Sequence, residues 1–225
     1  LQSLLKKTDQ LGRGVTLPIL EKYRPQVLWI KRDPVVDAIS TTLKSQLDSA
    51  LTYHSYGHSD EVTGMSIALA AEDGIENHDL LLLGIAAAYH DSGFIEQRLD
   101  HEQIGANLAE DAMRADVRFS SDDIELTKQM ILDTKLRTVG RSHDLNTRLS
   151  PWLIDADLSN LGRPDFILQT NLLADELNIP IDVMFKDSLT LMDRHEWHSP
   201  AGRKVLGPQK LINKEALKAD LNKKS

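Results

Sequence analysis

The sequence predicts an all-α fold, and three observations support this prediction. No segment of four to eight residues alternates apolar and polar residues as a half-buried β-strand would. Apolar residues recur instead at helical spacing, as at Val62, Met65 and Leu69. Residues 80–88 are apolar on nearly all sides, which is typical of a helix at the centre of a bundle. We therefore expect a helical bundle built around that segment.

The helices can be placed in chain order from their start and stop signals. Residues 1–33 contain short helical pieces broken by glycine and proline, and we interpret them as an N-terminal helical arm. Asp33 as N-cap and Pro34 at the first helical position begin the main domain, residues 34–225. Ser120, with Asp123 three residues later, resembles a capping box at the start of another helix. A polar stretch at residues 134–149 is predicted to be a surface loop. The predicted helices of the main domain span residues 34–50, 59–74, 77–90, 101–113, 120–131, 151–158, 166–177 and 182–194, with a basic amphipathic helix from residue 208 onward.

Composition and charge argue against several classes of function. The 225 residues carry a net charge of −8, which disfavours nucleic acids and anionic membranes as partners. The absence of cysteine excludes disulfides and thiolate zinc sites. No stretch reaches the length of a transmembrane helix, and we expect a cytoplasmic protein. Because the chain begins with Leu1 rather than Met, a leader or an upstream domain is an open alternative.

Two adjacent residues at the end of the central apolar segment point to a metal. His90 and Asp91 follow an apolar run, where an ionised Asp without a partner is costly in free energy. His and Asp are ligand types that suit divalent metals, and a bound ion would supply the missing counter-charge. The alternative is a helix C-terminus with Gly93 as its cap and a solvated His-Asp pair.

Two further pairs of such residues lie on predicted helices. His54 and His58 are four residues apart, so a helical turn would place both imidazoles on one face, although such pairs also occur as surface or core residues. Asp155 and Asp157 interrupt an apolar stretch, and residues two apart on a helix point about 200° apart. One of these aspartates can therefore face a metal while the other caps a helix or faces water. Together the three sites predict that separate helices bring His and Asp to one point.

The order and context of these residues resemble a known family. Residues 53–58, Tyr-His-Ser-Tyr-Gly-His, are similar to the Tyr-His-Asn-x-x-His motif of cyclic nucleotide phosphodiesterases and their bacterial relatives. Residues 156–160, Ala-Asp-Leu-Ser-Asn, are similar to the segment around the last metal-ligating Asp of those enzymes. The resemblance covers roughly residues 50–200. The residues that follow the H…HD…D signature of the HD superfamily of metal-dependent phosphohydrolases are His58, His90, Asp91 and Asp157.

The resemblance implies an HD-domain helical bundle with a metal site at its centre. One or two divalent ions would be held there, with Mn, Fe, Mg, Zn, Ni and Co all open as the native metal. The implied ligands of the first metal are His58, His90, Asp91 and Asp157. Asp91 would also bridge to a second metal, and a metal-activated water would attack the phosphate ester. His54 would be the general acid that protonates the leaving oxygen.

Other residues are implied to contact the phosphate or a second metal. His101 would ligate a second metal through water or touch the phosphate, and Lys135 or Arg137 would steady the phosphate. Two positions depart from the family pattern. Ser55 replaces the usual Asn of the first motif, and Arg137 stands where relatives often carry a His.

The remaining histidines lie outside this set. His195 and His198 flank Trp197 and are candidates for a lid or a substrate wall. His78 and His143 are interpreted as surface residues.

The leading hypothesis is hydrolysis of a phosphate ester, with a small phosphorylated substrate such as a nucleotide as the partner. A di-iron oxygenase is the first alternative, since some HD-fold proteins cleave C–C or C–P bonds with dioxygen. That chemistry needs a full ligand set for the second metal, and His101 is the obvious extra histidine. The second alternative is a degenerate, ligand-sensing module. A sensor need not keep every metal ligand, and all four of the signature are present.

Overall fold

The regular structure of the protein is helical, as predicted. The computed structural model describes residues 17–223, and this part of the chain contains α-helices and short 3-10 turns but no strand. In chain order the helices are α1 Pro18–Lys22, α2 Arg24–Lys31, α3 Pro34–Gln46, α4 Tyr56–Glu72, α5 Asn77–Tyr89, α6 His101–Arg114, α7 Ser121–Leu132, α8 Ser150–Asp157, α9 Phe166–Leu177, α10 Ile181–Arg194 and α11 Pro200–Lys223. The 3-10 turns span Ser92–Ile95 and Ser159–Gly162. Within the described residues, no helix combines the length and the apolar character that crossing a bilayer requires.

Helix α5 is the central element of the bundle. Every residue of α5 from Leu80 to Tyr89 is buried, and α3, α4, α6, α7 and α8 all pack against this helix. Its neighbour α4 buries the stretch from Val62 to Ala70. Because α5 is apolar on all sides, its burial contributes a large share of the hydrophobic stabilisation of the fold.

The helices that precede residue 33 pack against the bundle. Both α1 and α2 contact α4, and Ile30 of α2 is fully buried. A Cβ atom at Gly84 would lie 2.2 Å from Cγ2 of Ile30, so this glycine makes room for the close contact between α2 and α5. The division of the chain at residue 33 stays a prediction, and residues 1–16 of the predicted arm lie outside the described residues.

Local capping signals were read correctly at two helix starts, and two predicted boundaries were wrong. The Asp33 side chain accepts a hydrogen bond from the Val35 amide at the start of α3, and a capping box opens α7. Helix α3 ends at Gln46 rather than near residue 50, because Leu47 is extended. The last helix begins at Pro200 rather than at residue 208, and Pro208 lies inside it.

A buried carboxylate explains the early start of α11. Asp155 is fully buried in α8 and accepts hydrogen bonds from the backbone amides of His198 and Ser199, both at 2.8 Å. The Ser199 hydroxyl donates a third bond at 2.6 Å. Burial raises the pKa of Asp155 above its ordinary value, and the three hydrogen bonds offset only part of this rise. Asp155 therefore anchors the two residues that precede α11, and Ser199 itself caps the helix, because its Oγ accepts a hydrogen bond from the Gly202 amide at 2.9 Å.

Close backbone contacts also fix the start of α6 against the end of α5. A Cβ atom at Gly93 would lie 2.1 Å from the His101 carbonyl oxygen. One at Gly105 would lie 2.5 Å from the Tyr89 carbonyl oxygen. Glycine at these two positions lets α6 approach the turn that contains Asp91. As a result His101, the first residue of α6, lies beside Asp91.

His195 in the α10–α11 connection and Lys210 of α11 form a buried pair of basic groups that should make stability depend on pH. His195 is 4% exposed, and Lys210 Nζ lies 2.9 Å from its Nδ1 and donates to its carbonyl oxygen at 2.6 Å. Burial and the charge of Lys210 lower the pKa of His195 to about 3. Between pH 6.5 and 3 the unfolded chain binds this proton more readily than the folded chain, so acidification favours unfolding.

We expect wild-type protein to lose about 2–3 kcal/mol more unfolding free energy between pH 6.5 and 4.5 than His195→Asn does. Urea unfolding curves at both pH values measure this difference. His78→Asn is the control, because the His78 side chain is 50% exposed and pairs with Asp123 at the surface. Its loss should not be smaller than that of wild type. Equal losses in wild type and His195→Asn would contradict the prediction.

Candidate metal centre

Three helices place metal-type ligand atoms at one point. His58 lies in the first turn of α4, His90 directly follows α5, and Asp157 ends α8. Asp157 Oδ1 lies 3.2 Å from His58 Nε2 and 3.5 Å from His90 Nε2, and all three atoms lie within 4.8 Å of one another. Ligands bound about 2.0–2.2 Å from one ion are separated by roughly 3–3.5 Å. The group could therefore hold a metal ion.

Asp91 lies between this group and His101. Its Oδ2 is 3.4 Å from His58 Nε2 and 3.3 Å from His90 Nε2. Its Oδ1 is 3.3 Å from Nε2 of His101. The structure thus brings together the four residues of the predicted signature and places His101 beside them.

The hydrogen bonds of the cluster fit a cation at its centre. His90 Nδ1 donates to the Ala87 carbonyl oxygen at 2.7 Å, which leaves the lone pair of Nε2 facing the carboxylates. His90 Nε2 and Asp91 Oδ2 are buried and make no hydrogen bond of normal geometry within the described part of the chain. Burial lowers the pKa of His90, but Asp91 and Asp157 raise it well above its ordinary value. The site therefore attracts positive charge, in the form of a proton or a metal ion.

A second, smaller set of ligand atoms surrounds His101. Its Nδ1 is 2.9 Å from the Arg98 carbonyl oxygen, so its Nε2 is turned toward Asp91. Glu102 is buried, and its Oε1 lies 3.7 Å from the same nitrogen. We did not predict Glu102 from the sequence, because adjacent residues on a helix point in different directions. Asp91, His101 and Glu102 could together contact a second ion.

His54 is held by a carboxylate that the sequence did not indicate. Its Nδ1 lies 2.5 Å from Glu176 Oε1, and the backbone amides of Tyr53 and His54 donate to Oε2 at 2.8 and 2.9 Å. Arg98 donates to Oε1 of the same carboxylate at 2.6 Å. Burial raises the pKa of Glu176, but its bonds to His54 and Arg98 lower it to about 2. Glu176 is thus an ionised anchor for the His54 ring. In the sequence it is an ordinary Glu of the amphipathic helix α9.

One pocket connects these groups. It has a volume of about 240 Å³ and is lined by His54, Asp91, His101, Glu102 and Asp157. Among the described residues, no lysine or arginine lines it. The other wall combines five leucines with a few uncharged polar side chains: Leu136, Leu158, Leu161, Leu173 and Leu191, with Thr134, His143, Asn160 and Ser188.

The structure corrects the prediction for His143 and places Lys135, from the same segment, outside the pocket. His143, interpreted as a surface residue, is 2% exposed and lines the pocket, and burial lowers its pKa. Two contacts close the segment on itself: the Arg137 amide donates to the Ser142 carbonyl oxygen at 2.8 Å, and the Arg137 side chain pairs with Asp144. Lys135, predicted to contact phosphate, does not line the pocket. Its Nζ lies 2.8 Å from Asp100 Oδ1, and its side chain is 61% exposed.

The late histidines also differ from the predicted lid or wall. Neither His195 nor His198 lines this pocket. His195 is buried against Lys210, and the backbone of His198 is held by Asp155. His78 is half exposed, in agreement with its interpretation as a surface residue.

The chain was also compared with known proteins. None of the family models, curated proteins or solved structures in those comparisons matched it.

Proposed function

We propose that the protein is a metal-dependent phosphohydrolase with an HD-type domain, which cleaves a phosphate ester of a nucleotide or another small organic phosphate. One observation carries the proposal. A histidine oriented by an ionised carboxylate, His54 with Glu176, lines the same pocket as Asp91 and Asp157 of the candidate metal centre. Ester hydrolysis needs both parts, namely a centre that attracts phosphate and an acid for the leaving oxygen.

The residues of the cluster are suited to hold the metal. His58, His90, Asp91 and Asp157 would hold one ion, and Asp91, His101 and Glu102 would contact a second. A bound divalent ion supplies positive charge that attracts phosphate oxygens and lowers the pKa of water.

His54 is the residue placed to give up a proton. Glu176 occupies its Nδ1, so Nε2 is the nitrogen left for the pocket. The ring also stacks on Phe94, with ring centroids 4.5 Å apart, which restricts its rotation. Glu176 keeps the ring oriented, and His54 is the group that would donate a proton to the departing ester oxygen.

The residues that line the pocket narrow the range of possible substrates. Because no described lysine or arginine lines it, the charge of the phosphate must be matched by the metal centre. A chain of two or three phosphates would find no further cation there. The leucine wall and the volume of about 240 Å³ suit a compact, uncharged leaving group. Thr134, Asn160, Ser188 and His143 offer hydrogen bonds to it.

The oriented acid favours hydrolysis over the two alternatives. An oxygenase that cleaves C–C or C–P bonds has no ester oxygen to protonate. A sensing module needs no proton donor at its ligand. Neither alternative accounts for an imidazole whose ring is fixed by both Glu176 and Phe94.

Assays of the metal-loaded protein on a panel of phosphates test the proposal. The panel contains nitrophenyl phosphate, bis(nitrophenyl) phosphate, nucleoside monophosphates, cyclic nucleotides and nucleoside triphosphates, with oxygen uptake followed in parallel. We expect turnover of a monoester or diester, weaker turnover of triphosphates, and loss of activity in Asp91→Ala. Asp111→Ala, at an exposed position of α6, should retain full activity. Oxygen uptake without release of phosphate or alcohol would contradict the proposal.

A further inference from the structure

A second pocket with a different character lies beside the C-terminus of α10. It has a volume of about 350 Å³ and no lining residue in common with the pocket over the candidate metal centre. Its lining residues are Gly140, Arg141, Ser142, Arg194, Glu196 and His198.

The two arginines of this pocket lack a counter-ion. Among residues 17–223, neither Arg141 nor Arg194 forms an ion pair with a carboxylate. Arg203, which does not line the pocket, donates to the carbonyl oxygens of Trp197 and His198. Most other described arginines do pair with a carboxylate: Arg24, Arg98, Arg114, Arg118, Arg137, Arg148 and Arg163. In a chain with a net charge of −8, two unpaired guanidinium groups in one pocket point to an anion.

Buried nitrogen atoms in the pocket also lack partners. Arg194 Nη1 and His198 Nε2 are buried and make no hydrogen bond with any described residue. Leaving a buried charged donor without an acceptor is unfavourable, and an oxyanion would satisfy both atoms. The planar guanidinium group matches the geometry of phosphate and carboxylate oxygens.

Backbone hydrogen bonds hold both segments that form the pocket. Arg141 follows Gly140, whose φ of 79° suits glycine, in a turn closed by the bond from the Arg137 amide to the Ser142 carbonyl oxygen at 2.8 Å. On the opposite wall, the His198 amide donates to Asp155 at 2.8 Å. A pocket built in this way needs little reorganisation to bind an ion.

We propose that this pocket binds an oxyanion, a phosphate or a carboxylate group, between Arg141 and Arg194. Ser142 and His198 line the same space and can add hydrogen bonds. Glu196 also lines the pocket, but it is exposed and forms no ion pair with either described arginine. Two guanidinium groups against one carboxylate leave the pocket with net positive charge.

Calorimetric titration of inorganic phosphate into Asp91→Ala protein tests the proposal, with succinate titrated separately to represent carboxylates. The protein is treated with a chelator before the titration, and together with Asp91→Ala this removes phosphate binding at the metal centre, so the result does not depend on whether the protein hydrolyses phosphate esters. We expect saturable binding of one or both anions. Added Arg141→Gln or Arg194→Gln should weaken it by about 10- to 100-fold. Glu196→Gln should tighten it by up to about fivefold.

Two controls separate local from general effects of charge and folding. Arg32→Gln removes an exposed arginine that likewise has no carboxylate partner among the described residues and does not line the pocket, so affinity should not change. Arg194→Lys keeps the charge but not the planar donor pair, so it should bind with intermediate affinity even if Arg194→Gln folds poorly. The proposal is overturned if neither anion binds saturably, or if the Arg141→Gln/Arg194→Gln protein binds as tightly as its parent.

Discussion

Asp157→Asn is expected to empty the candidate metal centre and abolish phosphate-ester hydrolysis, whereas Asp155→Asn should keep both metal and activity. Asp157 Oδ1 lies 3.2 Å from His58 Nε2 and 3.5 Å from His90 Nε2, so its charge is needed where the ion would bind. Asp155, two residues earlier in the same helix, faces the start of α11 instead. Asp155→Asn should lower the unfolding free energy by about 1–3 kcal/mol. The NH₂ group of the new Asn side chain would face backbone amides that are themselves donors, so a hydrogen bond is lost.

Metal analysis of the purified proteins, combined with thermal melting, separates the two effects. Chelation should lower the melting temperature of wild type and Asp155→Asn, because a ligand at 100 times its Kd stabilises the folded state by about 2.7 kcal/mol. Chelation should leave Asp157→Asn unchanged. Metal content equal to wild type in Asp157→Asn, or loss of metal in Asp155→Asn, would show that the wrong carboxylate has been assigned.

His54→Ala should retain the metal and slow hydrolysis of an alkyl or ribose ester by about 10²–10⁴. The loss should be much smaller for a nitrophenyl ester, whose leaving oxygen is a weak base and needs little protonation. His58→Ala should instead lose the metal and its activity on both esters, because His58 belongs to the cluster. Rates of both variants on both esters, with metal content measured in parallel, check this distinction.

The interaction between His54 and Glu176 gives a sharper test of the acid. If Glu176 acts through His54, Glu176→Gln should show the same dependence on the leaving group. The double variant should then be no slower than His54→Ala alone, because the two residues act as one unit. His78→Ala, at the surface, should match wild type. Equal losses on both esters, or additive losses in the double variant, would rule out the acid assignment.

Local features of the structure could be read from the sequence because their causes are local. Helical periodicity and the capping residues Asp33 and Ser120 act over a few positions, and the structure has helices at the expected places. The candidate ligands His58, His90 and Asp157 could be singled out because polar ligand types stood at the ends of apolar helices. A buried charge in such a setting requires a partner wherever the helices pack.

Tertiary structure alone decided which residues surround those ligands. Glu176 meets His54 across 122 positions of sequence, and Glu102 and His143 enter the pocket only because their segments fold against it. The family resemblance implied a phosphate contact for Lys135, but its side chain pairs with Asp100 outside the pocket. The sequence by itself determined the helices, through interactions within one or two turns, and singled out the candidate ligands His58, His90 and Asp157. The packing of helices distant in the chain decided the pocket, because contacts across such distances depend on how apolar faces bury one another.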